Sequence, residues 1–202
     1  CNWLIDLYKA CDEYKADGVL GPVVPDFEMT PPDWIIKGKI SNRPTYETGT
    51  VMHWSNCRTG NSLLKSKIFK DKGCLFDSKF GIGGEDVNFF KRMQEIGHRF
   101  VWCNEAPVYE VVPPERCTKI YFLKRAFLQG NVSSRYDGRS MNVIKNGLMF
   151  IKSFIACTAY TFFLPIVYLF GTHLFMKYLI KDVHHLSRLL ALLKIVKLKE
   201  RN

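Results

Sequence analysis

The spacing of apolar residues changes several times along the first two thirds of the chain. Apolar positions three and four residues apart predict amphipathic helices, and short apolar runs between turn-forming residues predict strands. The pattern over 62–69 fits a strand or a helix equally well. Because strands and helices alternate, the predicted fold class is α/β. The predicted helices cover 2–16, 85–96 and 118–129, and the predicted strands cover 19–24, 51–54, 99–103 and 108–112.

Each predicted helix has an apolar face that we expect to face a core. Asn2 is placed to cap the first helix, and Gly97 ends the second. The apolar positions are Leu4, Leu7, Cys11 and Tyr14 in the first helix, Phe89, Phe90, Met93 and Ile96 in the second, and Ile120, Leu123, Phe127 and Leu128 in the third.

A long apolar segment follows at 153–176. Its 24 residues include no Asp, Glu, Lys or Arg, and about 20 residues are enough to cross a bilayer core. Lys152 and Lys177 stand at its edges, and tyrosines supply interfacial anchors. A membrane segment is therefore predicted, with a buried core helix as the alternative. Residues that argue against one straight helix, and so leave both a kinked span and a re-entrant hairpin open, are Pro165, Gly171 and His173.

The tail over 183–199 combines leucines along one side with basic residues. This pattern is typical of a basic helix that lies on a membrane surface. A coiled-coil or partner-binding helix is the alternative. The apolar positions are Leu186, Leu189, Leu190, Leu193 and Val196, and the basic ones are Arg188, Lys194, Lys197 and Lys199.

The formal net charge of +10 is unevenly distributed. Residues 116–152 carry +7 and residues 177–202 carry +5, whereas residues 1–115 carry −2. Basic charge on both sides of an uncharged apolar run indicates contact with anionic lipid headgroups. Nucleic-acid binding, the other reading of a basic chain, leaves the apolar run unexplained, and we expect no nucleic-acid partner.

The cysteines indicate neither a disulfide framework nor a zinc site. There are seven, which is an odd number, and no two have C-x-x-C spacing. Reduced thiols in a protein that faces the cytosol are the simplest expectation.

An acidic pair stands where the second predicted helix begins. Gly83 and Gly84 precede Glu85 and Asp86. The unpaired N–H groups and the dipole of a helix start favour negative charge, so a carboxylate there is ready to accept a proton. The alternative is that the two acids merely cap a surface helix.

Several segments in the same order resemble family 2 glycosyltransferases, in particular the bacterial exopolysaccharide type. The run from Gly83 to Arg92, followed by Gly97, is similar to the family's GGED-x-x-F-x-x-R…G signature. The resemblance covers about residues 2–135. It implies the C-terminal part of a GT-A domain, which transfers a sugar from a nucleotide-sugar donor with inversion at the anomeric carbon. Further matching segments are 16–23, 59–61, 105–116 and 121–130.

The resemblance also implies roles for individual residues. Asp86 would be the general base, and Glu85 would orient the site or contact the acceptor. For the other implied substrate contacts a purely structural role is the alternative. For Arg116, Lys124 and Arg125 this alternative is a solvated basic face. For Asn61 it is a turn residue. The implied substrate-binding residues are Asn61, Gly83, Gly84, Arg116, Lys124 and Arg125.

The chain departs from the family pattern at the metal site. The family's Asp-x-Asp motif, which holds a divalent ion on the donor diphosphate, does not occur here and would fall before Asn2. We therefore expect an N-terminally truncated fragment that is inactive alone, and Mg²⁺ or Mn²⁺ in the intact protein. Glu110 stands where many relatives have a histidine, and is a possible metal ligand.

These observations predict three parts: a transferase domain over 1–135, a transmembrane or re-entrant segment over 142–180, and a basic tail helix over 183–202. The expected function is transfer of a sugar to a lipid-linked saccharide during cell-surface polysaccharide or glycolipid synthesis. The expected location is the bacterial plasma membrane, with the catalytic domain in the cytoplasm. The alternative function is a non-enzymatic, membrane-anchored binding module.

Overall fold

The computed structural model describes residues 2–70, 76, 83–138 and 143–196. It divides into two compact units. The first comprises Cys1–Asp26, Asn42–Gly81 and Glu85–Val111, and the second comprises Phe27–Ser41, Ile82–Gly84 and Val112–Asn202.

The first unit is built around a three-stranded sheet. β1 (Gly18–Leu20) is central; β3 (Ser62–Leu64) is antiparallel to it and β4 (Phe100–Trp102) is parallel, with Val19 opposite Leu63 and Val101. Strands β2 (Val23–Phe27) and β5 (Val108–Val112) form a separate pair.

Successive residues of β1 and β4 point to opposite faces of this sheet, as the two-residue period of a strand requires. On one face, Val19 and Val101 pack with helix α1 (Trp3–Glu13). On the other face, Leu20 and Phe100 pack with helix α3 (Glu85–Glu95), whose Phe89, Phe90 and Met93 are buried. Helices on both sides of a sheet confirm the predicted mixture of helices and strands. The more specific GT-A assignment stays a prediction.

Several elements of the first unit differ from the prediction. Residues 19–24 belong to two strands in different sheets, because Gly21 and Pro22 separate β1 from β2. Asn2 precedes α1 without a side-chain capping bond. The segment over 62–69, whose pattern fitted a strand or a helix, contains one of each. Strand β3 comes first and the 3₁₀ helix Ser66–Lys70 follows. Leu4 and Ile96, predicted to face a core, are exposed, the second because α3 ends at Glu95.

The predicted strand over 51–54 is also wrong. Val51 makes one isolated bridge to Val101, and a 3₁₀ helix begins at Trp54. The reason is a hydrogen-bonding side chain from a distant part of the sequence, which the local apolar pattern does not reveal. Gln94 of α3 accepts a hydrogen bond from the Trp54 N–H and donates one to the Met52 carbonyl, which takes backbone groups that a strand would pair.

The second unit consists of helices. They are α2 (Asp33–Gly38), α4 (Lys119–Gly138), α5 (Val143–Leu169) and α6 (Thr172–Leu192). Helix α6 packs against the other three. Gly130 permits the close approach of α4, since a Cβ there would lie 2.2 Å from the His184 carbonyl oxygen. Ser187 of α6 donates to the Phe127 carbonyl of α4 at 2.5 Å.

The predicted apolar segment is not one helix. Gly171, whose φ of +117° favours glycine, separates α5 from α6. Residues 183–192 therefore continue α6 rather than beginning a tail helix. Lys197 and Lys199 lie outside the described residues. The predicted helix over 118–129 extends to Gly138, and its Ile120 is exposed. The predicted domain boundaries stay predictions.

Asp17 joins three segments of the first unit. Its carboxylate lies 2.5 Å from Lys67 Nζ and 3.2 Å from His98 Nδ1, and it accepts a hydrogen bond from the Arg99 N–H. Partial burial opposes ionisation, but the hydrogen bonds from Lys67, the Arg99 N–H and His98 outweigh it and lower the pKa of Asp17 from 3.8 to about 2.

A lowered pKa means that ionised Asp17 stabilises the fold above pH 4, and that this contribution is lost as the pH falls from about 4 to about 2. Asp17→Asn should lower the free energy of unfolding at neutral pH by about 1–2 kcal/mol, because Lys67 is partly screened by water. It should also flatten the pH dependence in this window. Urea unfolding at pH 7 and pH 3 measures both effects, with the exposed Asp33→Asn as control. A midpoint that Asp17→Asn leaves unchanged would contradict this role.

Candidate active site

The acidic pair lies in the first turn of α3, as predicted. Gly83 and Gly84 have φ values of +123° and +90°, so the two glycines supply the left-handed turn that precedes the helix. Glu85 is exposed and Asp86 is half-buried. Asp86 Oδ1 accepts a hydrogen bond from the Val87 N–H at 2.7 Å. Within the part of the chain that the structure describes, Asp86 Oδ2 has no hydrogen-bond partner, and it is available to a hydroxyl group.

The segment from Met52 to Cys57 lies beside α3. Gln94 binds its first part, and the Lys91 ammonium lies 5.4 Å from the centre of the Trp54 ring. Its last part comes close to Asp86, whose charge acts on the Cys57 thiol. These contacts hold the segment from Met52 to Cys57 against α3.

Cys57 is an inert neighbour of the acidic pair. Burial raises the pKa of its thiol to about 12; Arg58 favours ionisation and Asp86 opposes it. The thiol is therefore protonated at neutral pH and does not act as a nucleophile. The carboxylates of Glu85 and Asp86 remain as the ionisable groups of the acidic pair, and the role of Asp86 as a base stays a prediction.

Asn61 is buried, with an exposed fraction of 3%, and its amide group binds protein atoms on three sides. Nδ2 donates to the carbonyl oxygens of Pro22 and Ala106 at 2.9 and 2.7 Å. Oδ1 accepts from the Trp3 indole at 2.9 Å. Asn61 therefore holds α1 and two loops together, which favours the structural alternative. Its predicted substrate contact stays a prediction.

Asn61→Ala should destabilise the first unit by about 2–4 kcal/mol. The buried Ala106 carbonyl and the Trp3 indole N–H lose their partner, and the Pro22 carbonyl keeps only its bond from the Val108 N–H. The urea unfolding midpoint measures this loss. The exposed Asn56→Ala is a matched control and should change the midpoint little. A midpoint as high as that of the wild type in Asn61→Ala would show that water replaces all three bonds.

Glu110, the possible metal ligand, forms an ion pair: Arg43 Nη2 lies 2.7 Å from its Oε2. Among the residues with described positions, no three His, Cys, Asp or Glu side chains come together in a group that could hold a metal ion. Glu110 therefore has a cationic partner, and the expected divalent ion stays a prediction for the intact protein.

The cations that the resemblance implies as substrate contacts all belong to the second unit, whereas Glu85 and Asp86 belong to the first. Arg116 lies in the 3₁₀ helix Pro114–Cys117. Lys124 and Arg125 are exposed neighbours on α4. Each position is compatible with an anionic ligand and with a solvated surface, so the predicted role stays a prediction.

Helix α5 has the reverse of the usual polarity. The side that packs against α6 includes polar residues: Ser153 is fully buried, and Asn146 Oδ1 is buried. The opposite side is apolar and exposed. We call this set the outward face: Ile144, Leu148, Ile151, Phe154, Ile155, Phe162, Phe163, Ile166 and Leu169. Helices of water-soluble domains bury their apolar side instead. Among the described residues, α5 is the one helix long and apolar enough to cross a membrane, over Asn146–Leu169.

The polar seam between α5 and α6 was missed by the sequence analysis. Thr161 Oγ1 lies 3.1 Å from Oδ2 of Asp182, which is nearly buried. The available signal was the run of small or polar residues at 146, 153, 157 and 161, whose spacing of seven and four places them on one side of a helix.

The chain is similar to the succinoglycan biosynthesis protein ExoM of Rhizobium meliloti (strain 1021), with 32% identity over 136 residues. The alignment covers 66% of this chain and 43% of that protein, so the chain spans less than half the length of this relative. No family model matches the chain. No solved structure gives a significant match.

Proposed function

We propose that the chain is part of a sugar transferase that acts at a membrane during exopolysaccharide biosynthesis. The observation that carries the proposal is Asp86, a half-buried carboxylate at the start of α3 with one oxygen available. The similarity to ExoM, a protein named for succinoglycan biosynthesis, supports the pathway class. The motif resemblance to family 2 glycosyltransferases supports the reaction.

In this reaction Asp86 accepts the proton of an acceptor hydroxyl group. The hydroxyl oxygen forms a bond to the anomeric carbon as the bond to the diphosphate breaks, so the nucleoside diphosphate leaves with the electron pair. Attack opposite the leaving group inverts the anomeric configuration. Asp86 then releases its proton to water. This step needs the ionised form of the Asp86 carboxylate. Glu85, exposed beside it, is proposed to orient the acceptor.

The proposed acceptor is a lipid-linked saccharide, and the proposed location is the cytoplasmic face of a bacterial plasma membrane. The outward face of α5 supports a membrane site, because its large apolar side chains are exposed from Ile144 to Leu169. A lipid-linked acceptor would be presented at the same membrane. A divalent ion on the donor diphosphate stays a proposal for the intact protein.

A non-enzymatic, membrane-anchored binding module is the second candidate. The same apolar face of α5 favours it, together with the exposed cations of α4. This candidate needs no role for Asp86, so the two functions differ in whether a product forms.

A donor screen tests the proposal. The intact protein in phospholipid vesicles would be incubated with radiolabelled nucleotide sugars and a lipid extract, with and without Mg²⁺ or Mn²⁺. We expect at least one donor to yield labelled lipid and free nucleoside diphosphate. Binding of a lipid or sugar without turnover of any donor would support the binding module instead.

A further inference from the structure

We infer that α5 lies in the plane of one leaflet, with its outward face in the hydrocarbon, and does not cross the bilayer. The inference rests on the membrane attachment proposed above and goes further, since it assigns the orientation and the lipid chemistry of the contact. The length of α5 alone permits either orientation. The packing of α6 and the placement of charge distinguish them.

Helix α6 runs antiparallel to α5 and contacts it near the turn and at the middle of α5. Near the turn, the ring centres of Tyr168 and Phe175 are 5.3 Å apart. Further along, Tyr160 lies 5.8 Å from Tyr178 and 5.9 Å from His185. Any orientation of α5 in a membrane is therefore shared by α6.

Crossing would place charge in the hydrocarbon. Asp182 contacts Thr161, close to the middle of the apolar helix, and Lys181 precedes it with its ammonium 6.0 Å from the centre of the Tyr160 ring. Each ionised group at the bilayer centre lowers insertion by about 10²-fold. Lys177 and Arg188 lie on the same helix. In the plane of a leaflet, α6 stays on the water side of α5, and none of these groups leaves the headgroup region.

The exposed charges identify the partner as an anionic leaflet. In the described part of α5 and α6, the exposed ionic side chains are Lys152, Lys177 and Lys181. The acid of this helix pair, Asp182, is buried. An apolar face accompanied by lysines is typical of helices that lie at an interface with anionic phospholipids.

The test is a depth profile along the outward face. A nitroxide on a genetically encoded amino acid avoids the seven cysteines; it would replace Ile144, Phe154, Phe162 or Leu169 in turn. The full chain would be bound to vesicles of phosphatidylcholine and phosphatidylglycerol, and collisions with oxygen and a nickel chelate would report depth. We expect the four positions to have similar depths, about 5–10 Å below the headgroups.

A profile that is deep at Phe154 and Phe162 but shallow at Ile144 and Leu169 would overturn the in-plane orientation and leave the membrane attachment intact. No binding to vesicles would overturn both. A stable dimer in solution that covers the outward face and does not bind vesicles would assign that face to a second copy. The depth profile does not measure sugar transfer. A failure of the proposed transferase function can therefore be told apart from a failure of the in-plane orientation.

Charge is tested separately with Lys152→Gln, Lys177→Gln and Lys181→Gln combined. This variant should bind phosphatidylglycerol vesicles about 10²-fold more weakly, because each lysine near an anionic surface contributes about fivefold. Binding to vesicles of phosphatidylcholine alone should change little. Equal binding of the variant and the wild type to anionic vesicles would contradict the assigned lipid.

Discussion

Asp86→Asn should lower kcat for sugar transfer by about 10²–10⁴-fold, because the amide cannot accept the hydroxyl proton. KM for the donor should stay near the wild-type value, since an amide of the same shape keeps the hydrogen bond from the Val87 N–H. Steady-state kinetics of the intact protein measure both parameters.

Glu95→Gln is the matched control. Glu95 ends the same helix and is exposed, so its loss of charge should leave kcat unchanged. A larger donor KM with a normal kcat in Asp86→Asn would show that Asp86 binds the donor and does not take the proton.

Phe154→Asp combined with Phe162→Asp should release the protein from vesicles. The two side chains are 55% and 71% exposed, so the fold loses little packing when they change. In the membrane, each replacement removes about 1.5–3 kcal/mol of apolar burial and adds a charge near the hydrocarbon. The expected loss of partitioning is therefore at least about 10³-fold. Sedimentation with vesicles measures it.

Phe154→Leu combined with Phe162→Leu keeps the face apolar and should sediment like the wild type. Circular dichroism and urea unfolding of the aspartate variant check that the helices persist. Continued sedimentation of a folded aspartate variant would contradict the membrane contact of the outward face.

Local pattern was enough to predict most elements of the first unit. The period of Phe89, Phe90 and Met93 predicted α3, and the glycines before Glu85 predicted where it begins. The strand over 108–112 was predicted with the bounds that β5 has. These elements follow from short-range spacing and turn chemistry, which a sequence displays directly.

The misses depend on contacts between distant residues. The Gln94 side chain forms hydrogen bonds with the backbone of Met52 and Trp54, which lie about 40 positions away in the sequence. No local pattern reveals these bonds. Asn61 was predicted to be a substrate contact or a turn residue, but its amide group binds Trp3 and Ala106, which are distant in the sequence. The partner of Asp182 lies on another helix, so its burial depends on the turn at Gly171.

The reversed polarity of α5 illustrates a different limit. Composition predicted an apolar segment at 153–176, but it could not say which side of the helix packs. The buried Ser153 and the exposed Phe162 settle this point. The orientation of a helix in a membrane depends on which side packs against its neighbours. Hydropathy is summed over all residues of the segment and does not distinguish its sides.

The most direct test of the central claim measures labelled sugar in the lipid fraction, with the best donor from the screen and the intact protein in vesicles. We predict labelled lipid with an inverted anomeric configuration from the wild type and from Glu95→Gln, and a loss of about 10²-fold or more from Asp86→Asn. Equal label from the wild type and Asp86→Asn would contradict the assignment of the base. Absence of label with every donor would contradict the proposed transfer itself.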